Sequence, residues 1–281
     1  MLSSVMEQAS EPYPIVSGRV QTRALEYHVT DHCNLRCDHC CSYSPILKKW
    51  CADPAQFEQD LLLVRRVVEP QFVKIVGGEP LLHPELETLL TIAHRLKVGP
   101  RIQLTTNALL IEKLSPQSWD CIQMISVSLY PEPALPKPLI RYIAKQAAAR
   151  GIEVSWKMQD KFTCLDRTAR ATAEQAKETF ADCWIRHRCN TIKNGRFYSC
   201  TRPQYVQKFA VDGPRFAEDG VPVDDPDAAA LARRIQAHLT QSEPLHSCFL
   251  CNGGQAGLDT HRQLSPADIR TKRETLVTLT A

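Results

Sequence analysis

Short apolar runs alternating with amphipathic stretches predict an α/β protein, a partial (β/α) barrel followed by a smaller module. Three observations carry this reading. Five β-like runs, Leu25 to Thr30, Phe72 to Val76, Ile102 to Thr105, Ile122 to Ser128 and Ile152 to Lys157, leave room for helices between them, the spacing of parallel βαβ units. Five strands do not close an eight-strand barrel, so one side stays open. After Lys157 the pattern changes, and 281 residues suffice for one large core plus a small accessory unit.

In chain order, residues 1–23 are polar and proline-bearing, and read as a leader that drapes over one end of the barrel. Residues 24–160 form the barrel. Its helices are expected at Pro54 to Val68, with Asp53 as N-cap, at Pro84 to Leu96, at Asn107 to Leu114, and at Lys137 to Arg150, which Gly151 stops. The second module, 171–253, starts with a polar helix from Ala171 to Phe180. A hairpin follows, joining Thr191-Ile192 to Phe197-Tyr198 through an Asn194-Gly195 turn. A surface loop from Val211 to Asp227 precedes a helix from Pro226 to Leu239, and residues 254–281 are a tail without identifiable chemistry.

The formal net charge of +3 is mild and evenly spread, which argues against nucleic acid and for a small-molecule substrate or a short peptide. Met1 to Arg19 has no secretory h-region, and no segment reaches membrane-spanning length, so the expectation is a cytoplasmic protein without a membrane partner. In a reducing compartment, twelve cysteines at close spacings point to metal or catalysis rather than to disulfides.

The densest cluster is Cys33-Asn34-Leu35-Arg36-Cys37-Asp38-His39-Cys40, a C-x3-C-x2-C triplet directly after the first strand. Three thiolates suit an iron-sulfur cubane, and since a cubane needs four ligands, one iron would stay open. The alternative is structural zinc, which needs a fourth closing ligand. With Gly77-Gly78-Glu79-Pro80 after the second strand, the triplet resembles the radical S-adenosylmethionine (SAM) superfamily.

The resemblance implies a radical SAM barrel and a [4Fe-4S] cluster on Cys33, Cys37 and Cys40. It places SAM on the open iron, its adenine near His39 and its methionine amino group on the Gly77 to Pro80 turn. Thr105, Asn107, Ser126, Ser128 and Lys157, at the ends of the middle strands, would meet the ribose and carboxylate. An electron donor such as flavodoxin or ferredoxin is implied as partner. The activity implied is cleavage of SAM to a 5′-deoxyadenosyl radical that removes hydrogen from a substrate carbon.

Cys183, then Gly195 to Cys200 as Gly-x4-Cys, then Cys248-Phe249-Leu250-Cys251 resembles the twitch form of the SPASM domains appended to such enzymes. The implied function of this small twitch-like Fe-S domain is an auxiliary [4Fe-4S] cluster on Cys183, Cys200, Cys248 and Cys251. A four-cysteine zinc ribbon is the alternative. Cys189 is an alternative ligand to Cys183, or else a spare thiol. Cys41 is expected beneath the first cluster, Cys121 as a small buried hydrophobe, and Cys51 and Cys164 have no assignment.

A closed cluster beside the substrate implies oxidation of a hydroxylated carbon to a ketone, as in twitch-containing dehydrogenases of aminoglycoside biosynthesis. A cysteine that returns hydrogen, Cys189 first among them, implies an epimerase instead, and modification of a ribosomally made peptide is a third outcome. The class rival is a non-catalytic metal or redox sensor. The substrate side chains expected are Glu132, Asp160 or Asp166 for an aminoglycoside, and Arg186-His187-Arg188 for a carboxylate or phosphate, unless that run is simply solvated.

Overall fold

The computed structural model describes residues 12–280. A short strand β1 (Ile15–Val16) turns into β2 (Arg19–His28), and four βα steps follow. These are α1 (Pro54–Val64) to β3 (Val68–Val76), α2 (Leu86–Leu96) to β4 (Ile102–Thr106), α3 (Pro116–Asp120) to β5 (Met124–Leu129), and α4 (Lys137–Arg150) to β6 (Glu153–Met158). β2 to β6 are parallel neighbours in sequence order, the open half-barrel expected. The remaining elements are β7 (Lys161–Thr163), α5 (Ala173–Ala181), β8 (Thr191–Lys193), β9 (Arg196–Tyr198), α6 (Arg202–Val206), β10 (Val221–Pro222), α7 (Ala228–Thr240), β11 (Leu258–Thr260) and α8 (Pro266–Leu279).

The barrel's first strand, β2, starts at Arg19, inside the stretch expected as leader; residues 1–11 of that leader lie outside the described residues. Helix α1 stops at Val64 rather than Val68, because the β-branched Val67 and Val68 are fully buried and Val68 opens β3. The helix expected over Asn107 to Leu114 is only a 3-10 turn at Ile111–Lys113. Its first residues are diverted: Asn107 N donates to Glu79, and Ala108 takes a positive φ of 59°.

The hairpin is where expected, with Asn194 and Gly195 both at positive φ, but it is not a separate layer. β8 runs parallel to β2 with Glu26 opposite Thr191, so β8, β9 and β10 extend the barrel sheet past its first strand. The tail is likewise ordered: β11 pairs with β7, and α8 starts on a Ser265–Asp268 capping box.

One apolar core lies between the sheet and its outer helices, with Leu61, Val64, Leu89, Leu90, Trp119 and Ile143 at most 1% exposed. Burial of each large aliphatic side chain there is worth about 2 kcal/mol. The other face of the sheet, toward the barrel axis, is left for polar residues and the site.

Candidate active site

Parallel strands place their functional loops beyond the C-terminal ends. The loop after β2 returns to it through a bridge between Thr30 and Cys51, and presents Cys33, Cys37 and Cys40 to a cavity of about 390 Å³. The turn after β3 is locked to the root of that loop. Gly78 N donates to Thr30 O (2.7 Å) and Glu79 N to His32 O (2.8 Å). A Cβ on Gly77 would lie 2.5 Å from Thr30 O and one on Gly78 2.3 Å from His32 O, so the contact is possible only for glycine.

Glu79 is fully buried and acts as a brace. Its carboxylate accepts from Thr106 Oγ1 (2.6 Å), Leu81 N (3.0 Å) and Asn107 N (2.8 Å). Burial still pushes its carboxyl up to about 7 against these donors. Asn107 then donates to Asn34 Oδ1 (2.7 Å), beside Cys33.

Of the residues expected to meet SAM, His39, Gly77, Gly78, Glu79, Thr105, Asn107 and Ser128 line this cavity. Three do not. Pro80 is buried at the start of a 3-10 turn, Ser126 is fully buried with its hydroxyl unpartnered, and Lys157 is exposed outside the lining. Ser126 and Ser128 show why: strand side chains of like parity share a face, but only the last one reaches the rim.

Burial pushes the Cys37 thiol up to about 12 and the Cys33 thiol well up, with neighbouring cysteine sulfurs adding to it. Converging thiols that resist ionisation are the donor set a cation relieves. Donors already face the sulfurs, Leu35 N to Cys33 (3.3 Å) and Gln263 Nε2 to Cys37 (3.5 Å), so the residues present fit an iron-sulfur cluster.

Cys183, Cys200, Cys248 and Cys251 line a second, smaller cavity. Main-chain N–H groups of Gly254, Arg202 and Gly253 point at the sulfurs of Cys183 (3.3 Å), Cys200 (3.4 Å) and Cys251 (3.3 Å). This arrangement also suits thiolate ligands. Cys189 is not in this set; it lines the first cavity with Cys41. Burial, with the Glu26 carboxylate beside it, pushes the Cys189 thiol well up and keeps it S–H.

Ile185 and Arg202 line both cavities. Arg202 is 4% exposed, donates to Asp166 Oδ1 (2.9 Å), lies over the Tyr43 ring, and keeps its Nε without a partner.

Two expectations about substrate groups are corrected. Arg186 is buried and donates to the carbonyls of Phe180, Leu239 and Gln241, so it fastens α7 instead of facing a ligand or solvent. Asp166 is held by Arg202, Tyr43 and Lys272, and this pairing brings its carboxyl down to about 2 despite burial. Cys121 is only partly buried, and Cys164 lies 3.8 Å from His39 Nε2.

Sequence reasoning missed the inner wall of the first cavity. Glu26 and His28 line it, with Lys74 Nζ 2.8 Å and His28 Nε2 3.3 Å from Glu26. The signal was present: Glu26 and His28 are polar residues at alternate positions of a central strand, hence on one face. Tyr130, Phe162, Trp184, Thr201 and Arg202 also line it, and only tertiary structure brings them there.

Residues 27–129 match the family described as the Radical SAM superfamily. Among curated proteins, the chain is 34% identical over 119 residues to a GTP 3′,8-cyclase of Staphylococcus saprophyticus and 29% over 108 residues to one of a Sulfurovum species. These alignments take in 38% and 37% of this chain, and the chain spans about a third of the length of either relative, 34% and 33%. Among solved structures, BtrN in complex with AdoMet and 2-DOIA has a TM-score of 0.50 at 15% identity, over 84% of this chain and 94% of that one, a likeness of fold. Among the described residues no helix is long and apolar enough to cross a membrane. That family implies a [4Fe-4S] cluster and SAM as cofactors, and over residues 27–129 this chain is similar to the radical SAM superfamily.

Proposed function

We propose that this radical SAM enzyme oxidises a hydroxyl-bearing carbon of a small natural product, a sugar, cyclitol or aminoglycoside, to a ketone. The observation that carries it is the shared wall: Ile185 and Arg202 line both cysteine cavities, so a substrate in the first lies about one side chain from the second. Cys33, Cys37 and Cys40 would hold the SAM cluster, and Cys183, Cys200, Cys248 and Cys251 an auxiliary [4Fe-4S] cluster in a twitch-like module. When bound, the first group supplies a radical that removes one hydrogen atom from the substrate, and the second accepts one electron. The remaining proton leaves the hydroxyl, and the balance is two hydrogens lost per turnover.

The chain's own part is placement. His39, Thr105, Asn107 and Ser128 orient SAM, and the Gly77 to Glu79 turn receives its amino group on backbone carbonyls. Glu26, held ionised by His28 and Lys74 although burial opposes this, sits on the inner wall where a hydroxyl can donate to it. Tyr130, Phe162 and Trp184 exclude water. Flavodoxin or ferredoxin is the electron donor in this reading.

A second reading has its own observation. The Cys189 thiol faces the same cavity and stays protonated, so it can return a hydrogen atom and give an epimer. The cyclase relatives share too little of their length with this chain to bring their substrate with them.

The cofactor assignment is tested first. Anaerobically reconstituted protein is expected to hold about eight iron atoms per chain, and about four when Cys33, Cys37 and Cys40 are all alanine. Reduced wild type is expected to convert SAM to 5′-deoxyadenosine, and the triple variant to make none. Stoichiometric zinc with little iron, or equal deoxyadenosine from both proteins, rejects the reading.

A further inference from the structure

The end of the chain reaches the first cysteine loop. Asp38 N donates to Arg262 O (3.0 Å) and Leu264 N to Arg36 O (2.8 Å), an antiparallel bridge that pairs Cys37 with Gln263. The bridge is pinned from both sides. Arg262 and Lys272 hold the Asp38 carboxylate at 2.5 and 2.7 Å, and His261 packs against the rings of Tyr130 and Phe162.

The result is two side-chain nitrogens at one sulfur. His261 Nε2 lies 3.3 Å and Gln263 Nε2 3.5 Å from Cys37 Sγ. The Gln263 amide is oriented by its Oε1, which accepts from Arg36 N at 2.6 Å, so its hydrogens face Cys37 and the Glu132 carbonyl, 3.4 Å away. His261 Nε2 lies 3.0 Å from Gln263 Nε2 and would accept from it beside a neutral thiol, whereas a thiolate at Cys37 favours the tautomer with hydrogen on Nε2, which makes the two nitrogens neighbouring donors to one sulfur.

We propose that His261 and Gln263 set the reduction potential of the cluster held by Cys33, Cys37 and Cys40, by donating N–H groups to the Cys37 sulfur. Reduction adds one electron and no proton, and the added charge spreads onto the ligand sulfurs. Donors at a sulfur therefore stabilise the reduced state more than the oxidised one and raise the potential. The two side chains are positioning residues: they touch a ligand, not the substrate. The inference rests on Cys37 being a cluster ligand.

The test is a potential titration followed by electron paramagnetic resonance on the full, reconstituted chain without SAM. The first cluster's signal is the one missing from the Cys33, Cys37, Cys40 triple alanine protein. In His261→Phe and in Gln263→Leu the reduced-to-oxidised ratio at a fixed potential is expected to fall about tenfold, a midpoint about 59 mV lower for a one-electron couple. His261→Gln, which keeps a donor, is expected to stay within about twofold of wild type on the same scale. Variants that load less iron are still readable, because only loaded chains give the signal. Unchanged midpoints in both apolar variants, or an equal fall in His261→Gln and His261→Phe, overturn the proposal while leaving the ligand assignment standing. A wild type that assembles no first cluster removes both.

Discussion

Asp60 and Gly195 are joined across the fold: Oδ1 of Asp60, on α1, accepts the main-chain N–H of Gly195 at 2.7 Å. Its Oδ2 takes that of Asn194 at 2.8 Å and the Tyr27 hydroxyl at 2.9 Å. One fully buried carboxylate thus fastens the hairpin turn to the barrel's first helix and strand. Asp60→Ala would leave the buried Tyr27 hydroxyl and the two main-chain N–H groups of the turn without their acceptor, at a cost of about 3–5 kcal/mol. Denaturant unfolding should show a lower midpoint, with Asp60→Asn costing less. An Asp60→Ala protein as stable as wild type would mean that the turn closes on its own.

Gly78→Ala tests the lock between the turn and the cysteine loop. The new methyl would meet His32 O at 2.3 Å, backbone that cannot swing away, so the turn must retreat from the loop at a cost of about 1–3 kcal/mol. SAM affinity, measured by equilibrium dialysis of reconstituted protein, is expected to drop at least about tenfold, the equivalent of about 1.4 kcal/mol, with iron content retained. Unchanged affinity would take the turn out of the SAM site.

Oxidation and epimerisation separate in deuterium oxide. Oxidation lowers product mass by two hydrogens, and Cys248→Ala or Cys251→Ala should then abolish product while deoxyadenosine still forms. Hydrogen return from Cys189 instead adds one mass unit, because a thiol S–H exchanges with solvent, and Cys189→Ala stops inversion only. Mass spectrometry reads both, and deuterium at the reacting carbon would reject the dehydrogenase.

His238 supplies a pH dependence. Its Nε2 accepts from Ser199 N at 3.3 Å, and burial, with Arg186 nearby, brings its pKa down from 6.5 to about 4. Between those values the unfolded chain takes up the proton first, so stability falls as pH drops from 6.5 through about 4. The loss is about 3 kcal/mol. His238→Gln should flatten that limb in unfolding measured across pH; an identical slope would place its cause in other groups.

The cysteine loop, the glycine turn, the second cysteine set and the half-barrel were legible because each is written in a few consecutive residues or in a repeating spacing. What failed was set by distant partners. Asn107 to Leu114 has a helical composition, yet Glu79 takes its first N–H. The Arg186 to Arg188 run reads as exposed charge, yet carbonyls of Phe180, Leu239 and Gln241 draw Arg186 inside. His261 and Gln263 lie more than two hundred residues from Cys37, and no local pattern joins them.

The pairing of β2 with β8 has a kinetic side. Glu26 meets Thr191 across a gap of more than half the 281 residues, and only after β3 to β6 have been made does that neighbour exist. During synthesis, the part of β2 beyond its pairing with β1 stands at an open edge with unpaired N–H and C=O groups until the later segment emerges. Closing so long a loop is slow, and such non-local contacts dominate folding time. Shortening the chain before Thr191 should therefore give an aggregation-prone barrel, because the strand that leads into the cysteine loop is completed last.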